Sequence, residues 1–269
     1  MARVERFAPS PTGPLHLGHA FSALTAWERA KGGRFLLRLE DIDTARSREE
    51  YVQAIYDDLH WLGLDWPEPV LRQSSRLPAY SDALQRLADM GLTYACTCTR
   101  RDIAGALGAP QEGAPMGPDG VIYPGTCRGK HRTGPAAIRL DMAKAVTGDV
   151  RYFEGDTPVT TTREEMVETI GDVVLARKDI GTSYHLSVVV DDAFQGVTHV
   201  TRGEDLRSAT PVQRLLQELL GLPAPVYHHH RLIRDENGKR LAKRDDARAI
   251  AKYRTEGATV QDIRAMVGL

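Results

Sequence analysis

The sequence predicts an α/β protein: a parallel sheet wound on both faces by helices, interrupted by an insertion and closed by a short helical tail. Three observations carry this expectation. Short apolar runs alternate with segments of helical periodicity towards both ends of the chain. All three cysteines lie between positions 96 and 127, around a Gly- and Pro-rich stretch, "GALGAPQEGAPMGPDG". A capping pattern, Thr259 with Asp262 three residues on, opens a helix close to the final residue.

Taken in order, "RVERFAP" is short and apolar enough for a strand. Two prolines, a glycine and a third proline then fill "PSPTGP", which ends the strand and forces a rigid loop. Leu17, Ala20, Phe21, Leu24 and Trp27 follow at helical spacing, and Gly32 and Gly33 close that helix. "RFLLRLEDID" packs Phe35, Leu36, Leu37 and Leu39 into one run, as a strand buried on both faces requires. Strand, helix and strand at this spacing make a βαβ unit with a right-handed crossover. Helices are expected over residues 47–62, from Val52, Ile55, Tyr56, Leu59 and Leu62, and over 78–90, stopped by Gly91.

Residues 94–134 break the pattern. They are poor in apolar side chains and read as an insertion with a long loop. Regular structure resumes with "AAIRLDM" and "GDVVLARKD". "YHLSVVVDDAF" fits two descriptions: its β-branched run favours a strand, while Leu186, Val189, Val190 and Phe194 also share a helix face. "GVTHVTRGEDL" reads as a strand and "TPVQRLLQELLGL" as a helix with Pro211 in its first turn. After "PVYHHHRLI" come a turn and two short helices. His228, His229 and His230 form no ligand set, because alternation along a strand sends neighbours to opposite faces.

Composition narrows the class. The chain has 269 residues, 42% hydrophobic and 26% charged, which suits a globular protein of one large domain or a core with an appendage. No apolar run approaches the roughly 20 residues of a membrane span, and "MARVERFAPS" lacks the apolar core of a secretory leader. A cytoplasmic protein without a membrane partner is expected. Three clustered cysteines suit a reducing compartment and thiolates used for something other than disulfides. The charges nearly cancel, 35 basic against 36 acidic, so a nucleic-acid partner would depend on local patches.

Three constellations could carry chemistry. His16 and His19 share a helix face at a first turn, where free N–H groups and the helix dipole attract anions. Gly18 between them lets a flat ligand approach the backbone, as for a nucleotide; two capping or core histidines are the plainer account. "GKRLAKR" gathers Lys239, Arg240, Lys243 and Arg244 in a turn, either a solvated surface or a cationic loop that stabilises a triphosphate. Cys96, Cys98 and Cys127 supply three soft ligands of the four that structural zinc takes. Spacing alone nominates His131 as the fourth; three free buried thiols are the alternative.

Together these blocks resemble a known family. "PSPTGPLHLGH" is similar to the "HIGH" signature of class I aminoacyl-tRNA synthetases, and "RLAKR", residues 240–244, to their "KMSKS". "RFAPSPTG", "LRLEDID" and "VVVDDAFQGVTHVTRGEDL" resemble the glutamyl-tRNA synthetase family in order and separation. The resemblance implies a Rossmann-like, HUP-type catalytic domain over 1–92 and 170–222, a zinc-binding insertion over 93–169 and a signature-loop and helical subdomain over 223–269. It assigns glutamate to Arg6, Ser10, Glu40, Tyr184 and Arg202. ATP, with Mg2+, falls to His16, Gly18, His19 and Lys243, the two histidines and Lys243 being catalytic. "VIYPGTCRG" is similar to the family's zinc pattern and implies Tyr123 beside Cys96, Cys98 and Cys127, with one structural Zn2+ per chain. The second signature departs at Arg240 and Ala242, where the family has lysine and serine.

Only 25 residues follow Arg244, so no anticodon-binding domain is expected. The shortened pattern resembles the branch of the family that activates glutamate without tRNA and esterifies it to queuosine, the wobble nucleoside of tRNA(Asp). A monomer with L-glutamate, ATP and queuosine-containing tRNA(Asp) as partners is implied. The rival readings are a paralogue charging a tRNA 3′ end, a nucleotidyltransferase of related fold acting on a small phosphate ester, and a non-catalytic RNA-binding module.

Overall fold

A computed structural model of the chain describes residues 2–107, 116–234 and 248–269. In chain order its first elements are β1 (Val4–Phe7), α1 (Leu17–Arg29), β2 (Arg34–Leu39), α2 (Glu49–Trp61), β3 (Leu71–Arg72) and α3 (Leu77–Asp89). Next come β4 (Thr93–Cys96), α4 (Arg100–Ala106), β5 (Met116–Gly117), β6 (Gly120–Val121), β7 (Ala137–Leu140) and α5 (Met142–Ala145). They are followed by β8 (Val150–Glu154), β9 (Thr157–Thr161), α6 (Arg163–Glu165), β10 (Val174–Ala176), α7 (Tyr184–Phe194) and β11 (His199–Gly203). The last are α8 (Thr210–Leu219), β12 (Val226–His230), α9 (Ile250–Thr255) and α10 (Val260–Val267).

Two compact units result. The first gathers Met1–Ser75, Gly196–Arg207 and Pro225–Leu269; the second gathers Arg76–Gln195 and Ser208–Ala224. The expected insertion, 93–169, falls within the second.

In the first unit β1, β2 and β3 form a parallel sheet, with Arg6 opposite Leu36 and Leu39 opposite Arg72. β11 and β12 are also parallel, with Arg202 opposite His229. β11 lies beside β1, where the Thr198 N–H donates to the Val4 carbonyl at 3.0 Å and the Val4 N–H to Thr198 Oγ1 at 2.8 Å. The spatial order is therefore β3, β2, β1, β11, β12, and the winding direction reverses between β1 and β11. α1 presses Ala20, Ala23, Leu24 and Ala26 into a core with Phe35, Leu37, Leu39, Ile55 and Leu59. The alanines let it approach closely. Gly33 is required where β2 begins, since a Cβ there would sit 2.0 Å from the Arg3 carbonyl oxygen.

The second unit is antiparallel where it has sheet. β7 pairs with β4 and β10, and β8 forms a hairpin with β9. α7 packs against α3 and α8. The sequence left residues 184–194 open between strand and helix; they form a helix. Ser183 caps it, and Asp191, wholly buried, accepts from the Tyr80 hydroxyl at 2.5 Å and from Arg76 Nε at 3.1 Å. Burial of Val188 and Val189 against neighbouring helices overrides their β propensity. The β8–β9 hairpin went unrecognised in the sequence, although Val150 and Tyr152 alternate as buried positions with exposed Arg151 and Phe153. Within the insertion, residues 108–115 lie outside the described residues.

The C-terminal helices return to the first unit. Arg254 in α9 brings Nη2 to 3.5 Å from Oδ1 of Asp58 in α2, and its Nη1 donates to the Asp57 carbonyl at 3.1 Å. Asp58 is 1% exposed, and burial pushes its carboxyl up to about 6, against the pull of Arg254 and with a smaller push from Asp57. A carboxyl whose folded value lies above its unfolded one binds more protons when folded. It therefore removes stability as pH rises from about 4 through about 6. Two units correspond to about 3 kcal/mol. The wild-type chain should lose stability across that window relative to Asp58→Asn, read as the difference in urea midpoint between pH 4.5 and pH 7; parallel pH profiles would refute the assignment.

Candidate active site and metal cluster

The first signature stretch builds its own rigidity. After β1 the chain is pinned twice: the Glu40 N–H donates to the Pro9 carbonyl at 3.1 Å and the Arg48 N–H to the Pro11 carbonyl at 3.0 Å. α1 then opens with a reciprocal cap made entirely of histidine. His16 Nδ1 accepts from the Gly18 N–H at 3.1 Å, and His19 Nδ1 accepts from the His16 N–H at 3.1 Å. The rings lie tilted at 39° to one another with centroids 3.8 Å apart. An imidazole that accepts through Nδ1 carries its proton on Nε2 when neutral, so the pair presents two N–H donors at a helix start. A Cβ on residue 18 would lie 3.0 Å from His16 Cε1, so the cap itself calls for glycine there.

The residues expected to meet glutamate divide between the units. Arg6 on β1, Ser10 in the proline loop, Glu40 just past β2 and Arg202 on β11 belong to the first; Tyr184, the opening residue of α7, belongs to the second. Arg6 and Arg202 are 4% and 5% exposed, so neither is the surface cation that their residue type alone suggests. Each is on a strand bordering the point where the sheet reverses, the place where open α/β sheets receive ligands. Arg202 is steered by a residue that sequence reasoning passed over: its Nε donates to His229 Nε2 at 3.2 Å across the β11–β12 ladder. Register carried that signal, which no local pattern could supply. Glu40 Oε1 lies 3.8 Å from Arg38 Nη2.

Lys243, with Lys239, Arg240, Ala242 and Arg244, lies outside the described residues. The chain that follows is tied to the first signature: the Ile250 N–H donates to the Leu15 carbonyl at 2.9 Å, and Ala249 bridges His16 in antiparallel fashion. Upstream, His230 sits between the Ser22 hydroxyl, 2.8 Å from Nε2, and the Arg231 carbonyl, 2.8 Å from Nδ1.

In the second unit the three cysteines converge. Their sulfurs all lie within 4.8 Å of one another, with Cys98 and Cys127 3.5 Å apart. A tetrahedron of thiolates about 2.3 Å from an ion sets its sulfurs about 3.8 Å apart, so the spacing fits. The Tyr123 hydroxyl is 3.4 Å from both Cys96 and Cys98 and accepts from the Cys127 N–H at 2.8 Å. Exposed His131 is absent from this group. Burial pushes the Cys127 thiol up, but hydrogen bonds from Tyr123, the Thr97 backbone, Cys98 and Arg132 outweigh it and bring it down to about 6. Burial raises Cys98. The cluster is anchored through Arg128, which donates from Nε and Nη2 to the buried Asp172 carboxylate at 3.0 and 2.7 Å. Arg139 lies over the Tyr123 ring, 3.9 Å from its centroid. This donor set can hold a metal ion.

The family model for class I tRNA synthetases (E and Q), catalytic domain, matches residues 3–269. The chain belongs to this family. A glutamyl-Q tRNA(Asp) synthetase of Rhodobacter capsulatus is 59% identical over 99% of this chain and the whole of its own length. One from Deinococcus radiodurans is 46% identical, over 94% of this chain and 83% of its own. Among solved structures, the glutamate-tRNA synthetase of Elizabethkingia anophelis superposes with a TM-score of 0.79 at 26% identity, and this chain spans 61% of its length. A methionyl-tRNA synthetase of Mycobacterium tuberculosis, 11% identical with a TM-score of 0.60, shares the fold. The synthetase-like α/β fold, with parallel sheet and flanking helices, agrees with the sequence expectation. Among the described residues no helix is long and apolar enough to cross a membrane.

The cluster should carry about one metal ion per chain through gentle purification, measured by plasma emission spectrometry. Cys98→Ser and Tyr123→Phe are expected to lower that content and the melting temperature together, and His131→Ala to leave both in place. Loss of metal in the His131 variant alone would transfer the fourth position to that residue.

Proposed function

We propose that this chain activates L-glutamate with ATP, without tRNA, and transfers the glutamyl group to queuosine at the wobble position of tRNA(Asp). The observation that carries the reading is the 59% identity, end to end, with a relative named for that reaction. The geometry of the first unit supports it.

Glutamate offers two carboxylates and an ammonium. Arg6 and Arg202, buried on strands that border the switch point, are matched to carboxylates by their forked donors, and Glu40 to the ammonium. Ser10 and Tyr184 complete the proposed set. An oxygen of the α-carboxylate attacks the α-phosphorus of ATP; as that P–O bond forms, the bond to pyrophosphate breaks and the electron pair leaves with it. Positioning and charge stabilisation are the protein's part. His16 and His19, their Nε2–H groups set by the cap, donate to phosphate oxygens beside Gly18, and Lys243 offsets charge on the departing pyrophosphate, with Mg2+ accompanying ATP. In the second step a hydroxyl of queuosine's cyclopentenediol attacks the acyl carbon, an ester forms, and AMP leaves. One zinc ion, held by Cys96, Cys98, Tyr123 and Cys127, would clamp the insertion and take no part in either step. A monomer acting in the cytoplasm completes the reading.

The likeness to solved glutamate-tRNA synthetases favours a second reading, in which the glutamyl group goes to a tRNA 3′ end. Labelled glutamate, ATP and tRNA(Asp) with or without queuosine separate the two. Label is expected only on the queuosine form and within the anticodon loop; label on the terminal adenosine would overturn the proposal. Lys243→Ala should lower glutamate-dependent pyrophosphate exchange by ~10-fold or more, about 1.4 kcal/mol of barrier. Unchanged exchange would remove Lys243 from the chemistry.

A further inference from the structure

Glu5, next to Arg6, plays no part in the chemistry above, yet it is fully buried in β1. Its Oε2 accepts from the Thr201 N–H on β11 at 3.2 Å. Its Oε1 lies 3.3 Å from Arg3 Nε and 3.8 Å from Arg29 Nε, the latter at the last residue of α1. A strand amide ordinarily donates to a carbonyl of the neighbouring strand. Here a side chain takes that place: β1 and β11 are neighbours, but the described residues form no regular ladder between them. Near Val4 and Thr198 the backbones still meet; further along, the Glu5 carboxylate spans the gap.

A buried carboxylate is costly even when paired, and burial does hold this one above its ordinary range despite Thr201, Arg6, Arg3 and Arg29. An apolar side chain would fill the same space at less cost, but it could not grip the Thr201 amide. The residues that follow the two joined positions are Arg6 and Arg202.

We propose that Glu5 is a positioning residue: by bridging β1 to β11 it sets the spacing of Arg6 and Arg202. Strand alternation sends Glu5 and Arg6 to opposite faces of β1, so Glu5 acts from behind the pocket and touches no substrate. This rests on the reading of Arg6 and Arg202 as the partners of glutamate's carboxylates.

The test uses the full chain with Glu5→Leu, which removes the bridge, and Glu5→Gln, which keeps an oxygen acceptor for Thr201. In tRNA-free pyrophosphate exchange, Glu5→Leu should raise the KM for glutamate at least tenfold while the KM for ATP stays within threefold. Glu5→Gln should recover most of the glutamate KM. Hydrogen exchange at the Thr201 amide should quicken in Glu5→Leu and not in Glu5→Gln. Equal rises in both KM values, or no rise in a chain whose melting shows it folded, would overturn the proposal, as would an unchanged Thr201 amide. Should Glu5→Leu fail to fold, Glu5→Gln decides: a tenfold rise in glutamate KM in that variant refutes the bridge. Absence of glutamate-dependent exchange in the wild-type chain would instead sink the functional reading, leaving the bridge to be judged on the Thr201 amide, which needs no substrate.

Discussion

The first unit is organised by the reversal of its sheet between β1 and β11. Parallel strands must be joined by crossovers, and when successive crossovers run to opposite sides of a starting strand, the two halves part at their carboxyl ends. The parting strands here carry Arg6 and Arg202, both buried. The proline loop that follows β1 is pinned at Pro9 and Pro11.

Much of this architecture was legible in the chain. Leu36, Leu37 and Leu39 announce a strand covered on both faces, and Leu17 through Trp27 announce the helix that covers one of them. Capping signals were reliable for a local reason. Thr259 and Asp262 exchange hydrogen bonds within four residues, so sequence neighbours suffice to form the cap. Residues 184–194 were not decidable in that way. Their helical state is supported by packing against α3 and α8 and by Asp191 meeting Tyr80, 111 positions away. No window of local periodicity contains that partner.

The site divides along the same line. His16, Gly18 and His19 could be named from spacing, because a helix start is a local event. Arg6, Arg202 and Tyr123 needed resemblance, since strand-borne arginines and a lone tyrosine carry no local mark. His229 and Glu5 escaped both routes. What distinguishes them is strand register: His229 faces Arg202 across a ladder, and Glu5 faces Thr201 across a gap. The β8–β9 hairpin is a different omission. Its alternation was present in the sequence but short, and "EGDT" lacks the Asn-Gly or Asp-Gly turn that marks a two-residue hairpin most strongly.

On the proposed reading the histidine pair makes capping and phosphate binding one arrangement. Either role taken singly leaves something unexplained: two histidines are an uncommon choice for a cap, where Ser, Thr, Asp and Asn are favoured. A serine cap would satisfy the same amides, but its single oxygen is acceptor and donor at once and holds no second polar atom rigidly on the far side. Imidazole has two nitrogens on opposite sides of a rigid ring. Committing Nδ1 to the Gly18 and His16 amides fixes both the tautomer and the direction of Nε2–H. Gly18 fits the same geometry, since a Cβ there would sit 3.0 Å from His16 Cε1 and the ring would have to give by a few tenths of an ångström. On the proposed reading the helix is capped by the same groups whose far edges meet the phosphates, so a change at this turn would disturb the cap and nucleotide binding together.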